Sequence, residues 1–156
     1  MYALLLRHAE AHAASVAGSD EDRELSPLGV LQAQYIAQRL AEPAAAAWRP
    51  ARVLVGIAER SRHTGAIIAE ALHIPLTTVA ELHPDATAQG LIGLMSVTLQ
   101  GGRPTMLVGH NPNLGTLLEL IAPGAAPVNT AELVVVDRAG RIVARLRRPD
   151  IVAERA

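Results

Sequence analysis

Tyr2-Ala3-Leu4-Leu5-Leu6-Arg7-His8 is the stretch on which the fold turns, together with its counterpart Met106-Leu107-Val108-Gly109-His110-Asn111-Pro112. A short apolar run bounded by polar residues reads as a buried strand. Each run is followed closely by a histidine, so both imidazoles fall where a strand hands over to the next element. In open α/β sheets that carboxyl edge is where ligands bind. Two imidazoles and an arginine at one edge form a site suited to an anion. A phosphate attacked by one of the imidazoles is the natural expectation.

Working outward, residues 9–25 are small, polar and charged, which predicts a surface loop. Ser26-Pro27 then supplies a capping hydroxyl and a first-turn proline for a helix carrying Leu28, Leu31, Tyr35, Ile36 and Leu40, stopped at Pro43. A second strand is expected at 52–55, and a helix over 59–72 with Ile67, Ile68, Ala71 and Leu72 inward. A third strand is expected at 77–79. After Pro84-Asp85 comes a helix with Leu91, Leu94, Met95 and Leu99 on one face, ending at Gly101-Gly102. The fourth strand is expected at 105–108. Asn111-Pro112 offers a cap and first-turn proline to a helix bearing Leu114, Leu117, Leu118 and Ile121. The tail reads as a hairpin, 133–136 and 141–146, whose second arm alternates Ile142, Ala144 and Leu146 with arginines as a half-exposed edge strand does. Strands alternating with helices, then a hairpin, predict a three-layer α/β/α sandwich. Its central sheet should be mostly parallel, with a C-terminal antiparallel hairpin at the edge. Residues 1–156 read as a single domain without repeat or linker.

Composition narrows the function classes. Apolar residues make up 50% of the 156, yet aromatics are only 2% and Phe is absent, so small aliphatic side chains must fill the core and elements should pack closely. Lysine is absent too, which makes every basic side chain an arginine. The net charge of −1 and the lack of a basic run beyond residues 145–148 argue against a nucleic-acid surface. Without cysteine there is no disulfide, thiolate nucleophile or Cys-ligated metal. The N-terminal apolar stretch is too short for a signal peptide, and no segment approaches the roughly 20 apolar residues of a membrane span. A soluble, cytoplasmic protein without membrane contacts is expected.

A neutral imidazole is a competent nucleophile toward phosphorus near neutral pH, provided that a hydrogen bond to its other ring nitrogen aims it. The transferring phosphoryl group carries charge on its equatorial oxygens, so fixed donors around it do most of the catalysis. Arginine is the donor of choice. Arg7, either Arg60 or Arg62, and His110 could form that ring around a phosphoryl group held by His8.

At this point the chain resembles the histidine phosphatase superfamily, and within it the small SixA-type phosphohistidine phosphatases. Leu6-Arg7-His8-Ala9-Glu10-Ala11 is similar to the Arg-His-Gly/Ala signature in its SixA form. Arg23-Glu24-Leu25-Ser26-Pro27-Leu28-Gly29 with Gln32-Ala33 resembles the stretch opening the first helix of that branch, and Val108-Gly109-His110-Asn111-Pro112 its second histidine motif. Glu59-Arg60-Ser61-Arg62-His63-Thr64 is similar to the family's Arg-Ala-x-Gln-Thr segment. The resemblance implies a phosphoglycerate mutase-like fold and a metal-independent phosphatase without cofactor. His8 would be the nucleophile that is transiently phosphorylated. Arg7, Arg60 and His110 would bind phosphoryl oxygens, Arg60 being preferred to Arg62 because Thr64 follows it by four. It also implies phosphohistidine on a partner protein as substrate. A small phosphomonoester substrate and a non-catalytic phospho-ligand module are the alternatives. Larger relatives take a carboxylate acid from a segment after the second helix. Glu81 is the nearest candidate here, with Asp85 behind it. Three residues depart from the family pattern: Gly56 where serine is common, Ser61 for alanine and His63 for glutamine.

Other polar residues have plainer readings. The array His8-x-Glu10-x-His12 has zinc-type ligands, but a loop would not converge them. His12, His73 and His83 read as surface or loop histidines, His63 as helix packing and Arg62 as solvated. Arg141, Arg145, Arg147 and Arg148 read as a solvated edge that discourages strand pairing between molecules.

Overall fold

A computed structural model describes residues 1–16 and 18–149. Six strands, β1 (Tyr2–Arg7), β2 (Arg52–Val55), β3 (Leu76–Thr78), β4 (Thr105–Gly109), β5 (Leu133–Asp137) and β6 (Ile142–Leu146), form one sheet in the order β3-β2-β4-β1-β5-β6. The first four run parallel, while β5 pairs antiparallel with β1 and β6 antiparallel with β5. The expected edge hairpin is therefore present, and the strands lie within one or two residues of their expected positions.

Period-two alternation builds the layers. Leu4, Leu6, Val53, Val55, Met106, Val108, Leu133 and Val135 pack on one face, against Ile36, Ala37 and Leu40 of α1 (Pro27–Ala41) and Ile68 and Ala69 of α2 (Glu59–Leu72). Ala3, Leu5, Leu54, Leu107, Val134 and Val136 pack on the other, against Leu91 and Met95 of α3 (Ala88–Gln100) and Leu114, Leu117 and Leu118 of α4 (Asn113–Ile121). Leu4, Leu5 and Leu6 are each fully buried. Such burial contributes about 1.5–3 kcal/mol per side chain, so the strand carrying Arg7 and His8 is anchored on both faces.

Several local expectations are corrected. The inward face of α1 is Gly29, Ala33, Ile36, Ala37 and Leu40, whereas Leu31 is 45% exposed. The helix turns this way because Gly29 lies against the backbone of Glu10, where a Cβ would sit 2.0 Å from the Glu10 carbonyl oxygen. In α2 the buried partner of Ile68 is Ala69, and Ala71 is exposed. Ser26 caps α1 as expected, accepting from the Gly29 N–H at 3.1 Å. Asn111 does not cap α4, since its side-chain amide donates to the Val128 carbonyl at 3.1 Å. Arg145 is not a solvated edge residue either. It pairs with Glu132 at 3.0 Å and donates to the carbonyls of Ala126 and Pro127, tying β6 to the loop before β5. These bonds outweigh the cost of burying Glu132 and hold its carboxyl below the usual range.

Among the described residues no helix is long and apolar enough to cross a membrane.

Candidate active site

Sheet register brings the two histidines together. Arg7 of β1 pairs with Gly109 of the parallel neighbour β4, so the next residues, His8 and His110, leave the sheet side by side. The His8 N–H extends the ladder by donating to the Gly109 carbonyl at 3.1 Å. The two ring centroids lie 5.1 Å apart with planes tilted by 50°. β1 leads away to one side through α1, and β4 is inserted between β1 and β2, so the pair sits at the crevice where strand order reverses.

The orientation of His8 is set by its own backbone. Its Nδ1 lies 2.8 Å from the Ala9 carbonyl, which can only accept a hydrogen bond. The proton of the neutral ring is therefore on Nδ1, and Nε2 keeps its lone pair. Ala9 is fixed in turn, its N–H donating to Thr64 Oγ1 at 3.0 Å while the Thr64 hydroxyl donates to the Arg60 carbonyl at 2.6 Å. The spacing of Arg60 and Thr64 thus has a structural purpose, since one turn of α2 clamps the loop that follows His8 and presents the arginine.

Arg7, His8, Arg60 and His110 line one cleft of about 370 Å³, with Glu10, Arg23, Asn111 and Thr130 at its rim. All four high-charge or imidazole groups expected at the site are therefore gathered. Arg60 is 5% exposed and donates to the Asp20 carbonyl at 2.9 Å and to the Asp20 carboxylate at 3.2 Å. Arg23 pairs with the other Asp20 oxygen at 2.9 Å. His110 Nε2 lies 2.9 Å from the hydroxyl of the fully buried Ser61, the residue that stands in place of the family's alanine.

Electrostatics follow from this crowding of cations. Burial chiefly, then Arg60, Arg7 and Arg23, lowers His8 to a pKa of about 4 against the raising effect of its Ala9 hydrogen bond. Burial, then His8 and the arginines, lowers His110 to about 3. Both rings are neutral at pH 7, as a nucleophile and an uncharged donor require. Asp20 is held below the usual carboxylate range, first of all by Arg60. The Nε atoms of Arg7 and Arg60 and the Nδ1 of His110 are buried without a partner among the described residues. Buried polar groups left unpaired cost about 1–3 kcal/mol each and concentrate at sites held ready for a ligand.

Glu81 lies elsewhere. It is exposed on a short 3-10 turn, Ala80–Leu82, and lines a separate crevice of only about 10 Å³ together with Leu82, His83, His110 and Asn113. Of the segment after β3, Pro84 is the residue that reaches the main cleft. Gly56 is required by this segment, because a Cβ there would sit 2.3 Å from the Leu82 carbonyl oxygen. Arg62 is exposed and pairs with Glu59, and neither it nor His63 lines the cleft. Glu10 turns its carboxylate to the Ser26 hydroxyl at 2.6 Å and His12 is exposed, so the His8-x-Glu10-x-His12 array does not converge. Among the described residues no group of three metal-ligating side chains could hold an ion.

Sequence reasoning missed Asp20, Arg23, Ser61 and Thr130. Arg23 lay in a recognisable motif without an assigned role. Asp20 sits in an aperiodic loop, where nothing signals contact with an arginine 40 residues away.

The matching family model is the histidine phosphatase superfamily (branch 1), over residues 3–84, more than half of the chain. No curated protein matches by sequence. Among solved structures, one assigned as the phosphohistidine phosphatase SixA of Agrobacterium tumefaciens is 29% identical with a TM-score of 0.78, covering 96% of this chain and 98% of that one. The protein histidine phosphatase SixA, solved with tungstate, has a TM-score of 0.78 at 22% identity, covering 94% and 97%. A mycobacterial glucosyl-3-phosphoglycerate phosphatase complexed with VO3 has a TM-score of 0.66 at 15% identity, covering 96% and 98%. The last two likenesses establish the phosphoglycerate mutase-like fold alone. With its two strand-end histidines abreast and the family model spanning the first of them, the chain belongs to the histidine phosphatase superfamily.

Proposed function

We propose that the protein is a metal-independent phosphatase that removes the phosphoryl group from a phosphohistidine of a partner protein. The observation that carries this reading is His8. Its Nδ1–H is held by the Ala9 carbonyl, and its Nε2 lone pair is left to a cleft walled by Arg7, Arg60 and His110. In the first step Nε2 attacks phosphorus in line. The bond from phosphorus to the substrate imidazole breaks, and that imidazole leaves with the electron pair and takes a proton. In the second step water attacks the phosphorus on His8, the N–P bond breaks, and orthophosphate departs as His8 recovers its neutral form. Arg7, Arg60 and His110 donate to the equatorial oxygens throughout.

The substrate class follows from access and leaving group. Between α2 and β4 the chain builds only β3, the 3-10 turn and α3, so no long insertion roofs the cleft. An open mouth suits a phosphoryl group carried on a protein surface. Imidazole leaves more readily than an alkoxide, because its nitrogen protonates near neutrality. Phosphohistidine therefore needs less help from an acid, which accords with Glu81 lying outside the main cleft. The likeness to the Agrobacterium protein supports the same substrate.

Single-turnover labelling tests this. Wild type given a phosphohistidine peptide should form an acid-labile phosphoenzyme and release phosphate. His8→Ala should form none and lose at least about a thousandfold in kcat/KM. Full-rate turnover by the alanine variant would overturn the reading.

A further inference from the structure

The cleft continues beyond the phosphoryl site. A second cavity of about 480 Å³ opens beside it and shares two wall residues, Glu10 and Thr130. Its other walls are Leu28 and Gln32 of α1 and, past the end of β6, Arg147, Arg148 and Pro149. Among the described residues Glu10 is the one acid on this wall, and its carboxylate is turned to the Ser26 hydroxyl. Gln32 gives its carbonyl oxygen to the Glu10 N–H at 2.9 Å, which leaves its amide N–H groups as the donating end. Arg147 is exposed at the mouth. Just upstream, the Arg145 bonds to Glu132 and two carbonyls anchor the strand end from which the two arginines follow. In a chain of net charge −1, the exposed guanidinium of Arg147 beside the Gln32 amide gives this wall a positive, donating character.

We propose that this groove is a subsite for acidic side chains flanking the phosphohistidine of the partner protein, which rests on the reading of the cleft given above. A phosphoryl group fills only the first cavity. A polypeptide that delivers it must pass out over the rim, and the Glu10–Thr130 rim leads onto Arg147. Carboxylates suit guanidinium donors at such a rim, where opposite charge selects partners and speeds encounter. Lone phosphates and aryl phosphates do not reach it.

The test uses two peptides bearing a hydrolysis-resistant phosphonotriazole analogue of phosphohistidine, one flanked by glutamates and one by glutamines. Binding is read by fluorescence anisotropy at low and high salt. Wild type should bind the acidic peptide about fivefold or more tightly than the neutral one at low salt, with the preference shrinking as salt rises. Arg147→Glu should reduce that preference to below about twofold, with kcat/KM for para-nitrophenyl phosphate unchanged. Equal affinity of wild type for both peptides, or a preference that survives both Arg147→Glu and Arg147→Glu with Gln32→Leu, would overturn the subsite. Because binding is measured without turnover, a wild type that prefers the acidic peptide yet hydrolyses no phosphohistidine would overturn the catalytic reading and leave the subsite standing.

Discussion

The two halves of the cleft are held in different ways. His8, Arg7 and His110 come off adjacent strands whose preceding residues, Leu4 to Leu6 and Met106 to Val108, are all fully buried. Asp20 and Arg23 come from the loop between β1 and α1, where the fixing contacts are exposed. Ser19 caps the Asp20–Asp22 turn at 3.2 Å, and the side chains of Asp20 and Arg23 are 67% and 25% exposed. The strand half is positioned by the core, so its geometry should persist as long as the fold does. The loop half is positioned by hydrogen bonds in contact with water, so it should adjust Arg60 by degrees.

Substitutions can break this contrast in order of size. His8→Ala should abolish the phosphoenzyme, as given above, while circular dichroism and melting temperature stay close to wild type because the ring lies beyond the last ladder pair. Arg60→Ala should lower kcat/KM by about a hundredfold, since it removes a buried donor to the developing charge. Asp20→Asn should change kcat/KM by less than about tenfold, because it loosens Arg60 without removing it. It should also tighten inhibition by inorganic phosphate, as one negative charge leaves the Arg60 and Arg23 guanidiniums that line the cleft. A hundredfold loss in the asparagine variant would place the loop on the same footing as the strands. For stability, Leu5→Ala should cost about 2–5 kcal/mol in denaturant unfolding, and Leu31→Ala on the exposed side of α1 less than about 0.5 kcal/mol.

Acid titration sharpens the same contrast. Both imidazoles have pKa values below their ordinary 6.5, at about 4 and 3. Between those values and 6.5 the unfolded chain binds protons that the native site refuses. Stability should therefore be complete above about pH 6.5 and fall as the pH drops toward 4. With the ionisation of substrate taken into account, kcat/KM should keep its plateau well below pH 6.5, since the nucleophile stays unprotonated. An acid limb centred near 6.5 would contradict the buried, arginine-crowded environment of His8. His8→Ala should flatten part of the stability decline.

The strand half is also the half that could be read from the sequence. Leu4-Leu5-Leu6 and Met106-Leu107-Val108 are short, uninterrupted apolar runs, and the residues after them must emerge at the sheet edge. That β1 and β4 would be neighbours was not contained in the runs themselves. The loop half carried no such period. Asp20 accepts from Arg60, 40 residues away, and from Arg23, and these loop contacts follow no sequence period. The expected α1 stripe holds at Ile36 and Leu40 but fails at Leu31, for a related reason. Leu31 is apolar but exposed, and the packing face is set by Gly29, whose lack of a side chain admits the Glu10 backbone. A hydrophobicity pattern cannot register a residue that matters by being small. The expectation for Glu81 rests on position along the chain, and the 3-10 turn sets it in a small crevice that His110 also lines, outside the lining of the main cleft.

The account stands on the facing of His8 and His110 across one oxyanion pocket. Nitrogen-15 spectra of the histidine side chains during a tungstate titration at pH 6 measure this directly. In the free protein both rings should read as neutral, with His8 as the Nδ1–H tautomer. On titration the signals of both residues should move together, with one binding constant and a stoichiometry of one, and the same constant should govern inhibition. Tungstate that perturbs only one of the two rings, or perturbs them with separate constants, would contradict a shared pocket.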